Sequence, residues 1–309
     1  MEALFILLLA LVIDLTLGEP PRVIHPVVGM GKVVSFLMRG GRSYSPTVQF
    51  LYGLGVVLAS IGIFAAPLYF VLFYLKSLNL VAYIVIAAVI LKITFSLKEL
   101  RRAALRVRNL LAEDKLDEAR FELRALVGRD TGQLDKSLMV SATVESVAEN
   151  SGDSFFASLF YFLLFGVVGA VAYRVINTLD AMIGHHGEFE YLGKFAAWLD
   201  SVANFIPARL AALTIVLSSW ICRAKATDAW RIMLRDRGKT ESPNAGWTMS
   251  ATAGALGVQL EKAGHYKLGD NHNPLLTSSI DASLRIAMTA AFIWSLIVVL
   301  AEVIYHVAT

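Results

Sequence analysis

The chain has 309 residues, 56% of them hydrophobic and 17% charged, with a mean hydropathy of +0.61, which is too apolar for an ordinary soluble domain and too charged for a protein held wholly in lipid. A formal net charge of +3 leaves no electrostatic footprint for nucleic acid, and a lone cysteine, Cys222, excludes an internal disulfide framework or a cysteine-rich metal site. The composition predicts an all-α integral membrane protein, a polytopic helical bundle of about four to six membrane segments with substantial polar parts.

The first apolar run, 3–17, carries Glu2 where a signal peptide would be basic and Asp14 where its cleavage site would approach, so it reads as a retained segment. It is short for a crossing, which takes about 20 residues. The adjoining "DLTLGEPPRVIHPV" holds Asp14, Glu19 and His25 on backbone stiffened by Pro20, Pro21 and Pro26. Such a loop serves either a fixed polar site or a tight membrane-exit turn. Basic Arg22, Lys32, Arg39 and Arg42 place it on the cytoplasmic side. Further apolar segments occupy 50–75, 80–97, 154–173, 205–222 and 286–306, with no internal repeat.

Between the third and fourth of these six segments lies a charged insert, 98–153. Its leucines and alanines recur at three and four residues, predicting a cytoplasmic helical hairpin in which Asp114 caps the second helix and Gly128 ends it. A third helix, from about Asp135 to Asn150, should deliver "SATVESVAENSGD" to the membrane surface. Four residues separate Glu145 from Glu149 and Glu149 from Asp153, so a regular helix would line all three acids on one face. That face is either simply solvated or a site for a cation.

After the fourth apolar segment come "NTLDAMIGHH", with Asn177 and Asp180, and "LDSVANFIPARL", with Asp200, Asn204 and Arg209. Ionisable groups at membrane depth mark function by default, although a buried Asp200–Arg209 pair would be purely structural. If 154–173 and 205–222 both cross, 174–204 is external; if both dip and return, as Gly166, Gly169 and Pro207 permit, it stays cytoplasmic. In a second polar region, 223–285, "ESPNAGWTMSATAGALG" predicts a helix with Ser242 as N-cap and Pro243 as first residue. Gly246, Ser250 and Gly254 then recur every four residues, serving close helix packing or an anion at the helix terminus.

No Walker A loop, G-x-G-x-x-G or H-E-x-x-H occurs among these segments. Grouped carboxylates and carboxamides suit a hard, oxygen-seeking cation, Mg²⁺ with phosphates.

The ordered motifs "DLTLGEPP…HPV", "LVGRDT", "VESVAENSGD", "YRVINTLDAMIG", "LDSVANFIPARL" and "SPNAGWTMSATAGALGVQLEKAGHYKLG" closely resemble the adenosylcobinamide-phosphate synthase (CobD/CbiB) family of cobalamin biosynthesis over about Asp14 to Gly269. The chain departs from the family pattern at Ser154, where glycine is usual, at Ser158, where proline is usual, and at Ser201, where a second acid is usual.

The resemblance implies one membrane-embedded catalytic domain over 1–309, in the cell membrane with its active site facing the cytoplasm. It implies an ATP- and Mg²⁺-dependent ligase that joins adenosylcobyric acid, a corrinoid substrate, to an aminoalcohol phosphate through an amide. Carried onto matching positions, Glu145, Glu149, Asp153, Asp180 and Asp200 are expected as metal ligands, and Asp14, His25, Glu149, Asp153, Asp180 and His265 as catalytic groups, with His25 or His265 taking the amine proton. Arg129, Asp130, Thr131, Asn150, Asn177, Asn204, Arg209, Ser242, Asn244 and Gly246 are expected to bind ATP or substrate, with Arg129 and Arg209 as phosphate clamps and the aminoalcohol phosphate on the helix beginning at Pro243. Other expected partners are the lipid bilayer, further late corrinoid-assembly enzymes and a second copy of the chain. The rival readings are a membrane transporter and a scaffold for corrinoid enzymes.

Overall fold

A computed structural model describes residues 1–20, 25–41, 44–184, 187 and 189–308. Arg22 and Arg42 of the topology reading, with His185 and His186, lie outside these. By its internal packing the chain divides into two compact units, one of residues 1–96, 157–204 and 298–309, the other of 97–156 and 205–297.

The first unit is built from α1 (Glu2–Thr16), α2 (Pro26–Leu37), α3 (Pro46–Leu78), α4 (Leu80–Ile93) and, further along, α8 and α9. Helix α1 has 15 residues and packs on α4; at ~1.5 Å per residue it reaches about 22 Å, short of the ~30 Å hydrocarbon core. His25 caps α2 by accepting the Val27 N–H on Nδ1, and Asn79 caps α4 through Ala82 N–H. The core of this unit gathers Val34 of α2 and Val57 of α3 with Val175, Leu179, Ile183 and Leu192. The outer side of α3 presents Leu51, Leu58, Phe70 and Phe73, a surface stable only against lipid or a partner.

Among the described residues, four helical stretches could cross a membrane by length and composition: Pro46–Leu78, Leu80–Ala112, Lys136–Ile183 and Thr277–Ala308. The third is not one straight rod. Its last part, α8 (Ala157–Ile183), breaks at Gly166, where φ is 65° and ψ −160°. Tyr161 before the break stacks on Tyr173 after it, centroids 5.0 Å apart and rings 10° from parallel. In a straight helix residues twelve apart would be separated by about 18 Å, so the chain folds back at Gly166. Of the two readings of 154–173, crossing or dipping and returning, the break at Gly166 fits the second. After α9 (Lys194–Ala203), α10 (Phe205–Ile221) continues at a bend of 47°; taken together this pair would make a fifth apolar stretch.

The second unit holds the charged insert. Helix α5 (Leu97–Ala112) buries Leu100, Ala104, Val107 and Leu111 and exposes Arg101, Arg102 and Arg106, the amphipathic pattern expected. Helix α6 (Leu116–Leu123) packs on it. Asp114 does not cap α6: it sits at the turn with φ 55° and pairs with Lys136, while Lys115 occupies the cap position. Gly128 does not end α6 either, since the helix stops at Leu123 and turns over residues 124–126. Asp135 does cap α7 (Lys136–Asn150), accepting Leu138 N–H at 2.7 Å.

Helix α7 packs against α12 (Ala245–Leu256) and against β1 (Leu260–Lys262), which pairs with β2 (Tyr266–Leu268) in a short antiparallel hairpin. Their shared core includes Val107, Leu123, Met139, Val144, Met249, Leu260, Leu268 and Leu284, the last on α13 (Thr277–Ala308). Helix α11 (Ala226–Asp236) approaches α12 so closely that a Cβ on Gly254 would lie 2.5 Å from Asp228 O, so the small-residue repeat serves backbone packing here. Helix α12 starts at Ala245, two residues beyond the expected Pro243. Ser242 Oγ still takes the Asn244 and Ala245 N–H groups, both at 3.3 Å.

Candidate functional site

Each unit carries its own polar cluster. In the first, α4 brings Lys92, 3% exposed, against Glu19 and within 3.7 Å of Asp14 Oδ1. Glu19 also receives His25 Nε2 at 2.5 Å. Burial pushes the Glu19 carboxyl up, but hydrogen bonds from Lys92, Ser96 and His25 outweigh it and hold the group below its ordinary range. Because Val27 N–H occupies Nδ1 of His25, the ring proton sits on Nε2 and is donated to Glu19. Both ring nitrogens are thus engaged, which leaves neither to take a proton from an amine.

Farther along, α8 and α9 pack on each other and align a chain of amides. Arg174 Nη1 donates to Asn177 Oδ1 at 3.3 Å, and Asn177 Nδ2 approaches Asp200 Oδ1 at 3.4 Å. Asn204 Nδ2 donates to Asp200 Oδ2 at 2.9 Å, and Tyr173 OH donates to Asn204 Oδ1 at 2.8 Å. Asp200 is 9% exposed, and the negative charge of Asp180 bears on it. Among the described residues, no lysine or arginine lies within ion-pair distance of Asp200, and Arg174 Nε is a buried donor without an acceptor. The alternative of an Asp200–Arg209 pair is not realised: Asp200 has its two asparagines, and Arg209 bonds Phe205 O and Asn244 Oδ1.

In the second unit Glu145 sits on the buried side of α7, 4% exposed. It accepts Arg129 Nη2 at 3.0 Å, Tyr266 OH at 3.0 Å and Ser141 Oγ at 2.6 Å. Ser141 in turn accepts Glu261 N–H at 2.7 Å, tying α7 to the β-hairpin. Burial, and then the Glu145 charge, raise the Tyr266 phenol well above its ordinary value. The counter-charge of Glu145 is therefore supplied by the protein. Below Glu145 the helix widens into a π-turn, Ser151–Phe156, which shifts the phase of the side chains. Glu145 and Glu149 share the regular helix and both bear on Tyr266, while Asp153 falls in the π-turn, so the expected regular face does not extend to it. Ser154, at the departure from the family pattern, fastens it by donating to Asn150 O at 2.7 Å.

The other expected ligands here serve local structure. Thr131 is fully buried and bonds Arg120 O, exposed Asp130 closes a turn onto Gly132 N–H, and Asn150 bonds Ser146. A Cβ at Gly246 would lie 2.2 Å from Arg237 O. His265, in the hairpin turn, places Nδ1 2.8 Å from Glu241 Oε1. Among the described residues no three His, Cys, Asp or Glu side chains converge as a metal cluster. Asp180 and Asp200 form a pair of acids, not a triad.

Beside these lies a structural anchor. Asp236, fully buried, is met by Arg235, by Lys239 and by Gly269 N–H at 2.8 Å. Burial pushes its carboxyl up, but these partners win and hold it at about 2. Gly269 has φ 87°, and a Cβ there would lie 2.3 Å from Val258 O, so only glycine fits. The lone lysine in "LVAYIVIAAVILKITF" and the lone arginine in "VVGAVAYRVI" were signals for Lys92 and Arg174 that the motif reading passed over.

A family model described as "CobD/Cbib protein" matches residues 7–294. The chain is 52% identical over 297 residues, 96% of both chains, to a "Cobalamin biosynthesis protein CobD" of Dehalococcoides mccartyi. It is 40% identical to a "Probable cobalamin biosynthesis protein CobD" of Methanothermobacter thermautotrophicus, covering 87% of this chain and 88% of that one. A protein of the same description from Thermoplasma volcanium is 38% identical across 96% of both chains. No solved structure matches. The chain belongs to the CobD/CbiB family of cobalamin biosynthesis.

Proposed function

We propose that this member of the CobD/CbiB family is an adenosylcobinamide-phosphate synthase, an ATP-dependent ligase joining adenosylcobyric acid to (R)-1-amino-2-propanol O-2-phosphate or ethanolamine phosphate. The observation that carries the reading is the pairing of two deficits in one buried network. Asp200 beside Asp180 is met by carboxamides with no lysine or arginine in ion-pair distance, and Arg174 Nε is a buried donor with no acceptor among the described residues. Buried charge and buried donors both demand partners, and a metal-bound phosphate supplies a cation and acceptor oxygens together.

The residues fit Mg²⁺, which commonly takes one or two carboxylates and completes its shell with water and substrate phosphates. Asp180 and Asp200 would hold it, and Asn177 and Asn204 orient Asp200. Bound there, it would neutralise charge on the ATP phosphates. In the reaction the corrinoid carboxylate oxygen attacks the γ-phosphorus, and ADP leaves. The amine nitrogen of the aminoalcohol phosphate then attacks the acyl carbon, the C–O bond to phosphate breaks, and inorganic phosphate departs. The amine proton goes to a base. ATP places this chemistry on the cytoplasmic side.

The test is full-length protein in detergent with adenosylcobyric acid, ATP, Mg²⁺ and each aminoalcohol phosphate, read by mass spectrometry and nucleotide analysis. Amide product with stoichiometric ADP is expected. AMP with pyrophosphate would replace the acyl phosphate by an acyl adenylate, and absence of any amide would sink the ligase reading.

A further inference from the structure

In the second unit Arg209 and Arg237 both lie over the indole of Trp247, their guanidinium carbons 4.7 and 4.6 Å from its centroid. Two like charges are so held within about one Debye length, ~8–10 Å at physiological salt. Several neighbouring charges are already matched. Arg231 and Arg235 are paired with Asp270, Lys239 and Arg235 with Asp236, and His265 with Glu241. Arg209 and Arg237 have no carboxylate partner among the described residues. Arg209 spends only Nη1, on Phe205 O at 2.6 Å and Asn244 Oδ1 at 2.9 Å, and stacks on the Phe205 ring at 3.5 Å. The aromatic faces fix both side chains without neutralising them. All of Arg209, Arg237 and Trp247 are partly exposed and reachable from solvent.

A pair of fixed, uncompensated guanidiniums repels itself until an anion arrives, and guanidinium forks match phosphate oxygens in geometry. The terminus of α12 does not compete for that anion through Asn244 and Ala245, whose N–H groups Ser242 already takes. We infer that Arg209 and Arg237, held on Trp247, form a binding site for a dianionic phosphate monoester. Resting on the ligase reading, that monoester is the aminoalcohol phosphate, and the site selects for its phosphate over the free aminoalcohol.

The experiment is calorimetric titration of the full-length protein, at fixed ionic strength, with ethanolamine phosphate, ethanolamine and Mg²⁺–ATP in separate arms. Wild type is expected to bind ethanolamine phosphate and to ignore ethanolamine. Arg237→Gln should weaken ethanolamine phosphate about 10- to 100-fold, the scale of a lost charged hydrogen bond, with Mg²⁺–ATP affinity unchanged. Arg237→Lys, which keeps the charge and fold but loses the fork, should fall between. The inference is overturned if wild type fails to bind ethanolamine phosphate, if both Arg237 variants bind it as wild type does, or if they lose Mg²⁺–ATP instead. Competition by vesicles of anionic but not neutral lipid, with no effect of ethanolamine phosphate, would make the site a lipid headgroup site and overturn the assignment. Binding is read without turnover, so a protein that binds the monoester through Arg237 but forms no amide would defeat the ligase reading alone.

Discussion

Glu145 and Asp200 are both carboxylates with less than a tenth of their surface exposed, yet the first is met by a guanidinium, a phenol and a hydroxyl and the second by two carboxamides. The same residue chemistry thus serves two ends. Glu145 has its own cation and ties α7 to Arg129, whose Nε is, like that of Arg174, a buried donor without a partner among the described residues, and to the hairpin strand bearing Tyr266. Asp200 is held in position by neutral donors, and its charge stays available. A buried acid with its own cation is architecture; one oriented by amides is, on the proposed reading, held for a cation from outside.

Breaking the pair on the Glu145 side gives the largest expected effect on folding. Arg129→Ala leaves a buried carboxylate without its cation, a loss of about 3–5 kcal/mol, read as a lowered denaturation midpoint in detergent. Adding Glu145→Gln to that variant should recover much of the loss, because the stranded charge goes with it. If the double variant is no better than Arg129→Ala, the pair is not what stabilises this unit.

On the Asp200 side the balance reverses. Asp200→Asn removes a charge that no protein cation matches, so thermal stability without Mg²⁺ should be unchanged or higher. Amide formation and the thermal protection given by Mg²⁺–ATP should fall on the order of 10- to 100-fold in metal affinity, as for a lost metal contact. A strongly destabilised Asp200→Asn with intact Mg²⁺ response would erase the contrast between the two acids.

Much of the helical plan was legible because period and caps are local. The amphipathic α5, the Asp135 cap and the four-residue spacing of Gly246, Ser250 and Gly254 all arise from residues a few positions apart. The features that were not legible depend on distant partners or on one backbone torsion. Arg129 reads as a phosphate clamp until the fold places it on Glu145, sixteen positions away. The even spacing of Glu145, Glu149 and Asp153 assumes a regular helix, and nothing in "ENSGDSFF" announces a π-turn. Lys92 looks like an isolated cost in an apolar run until Glu19, seventy-three positions away, is seen beside it. That Arg209 and Arg237 lie on one indole without an ion pair among the described residues emerges only from the fold.

The fold-back at Gly166 also carries an expectation about parity. A segment that crosses a bilayer moves the next stretch of chain to the other side, and one that turns round does not. Helix α7, from the insert, packs on α12 and β1 from the later polar region within a single unit, from which 98–153 and 223–270 are expected to share one aqueous compartment. The stretch between them must then cross an even number of times. If 157–183 turns back within the bilayer and contributes none, an even count requires none from α9 and α10 either, and Gly187 is then expected in that compartment. Single cysteines at Glu113, Gly187 and Glu241 in a Cys222→Ser background should all label from one face of sealed vesicles; a Gly187 site that labels from the opposite face would restore an odd count and undo the turn.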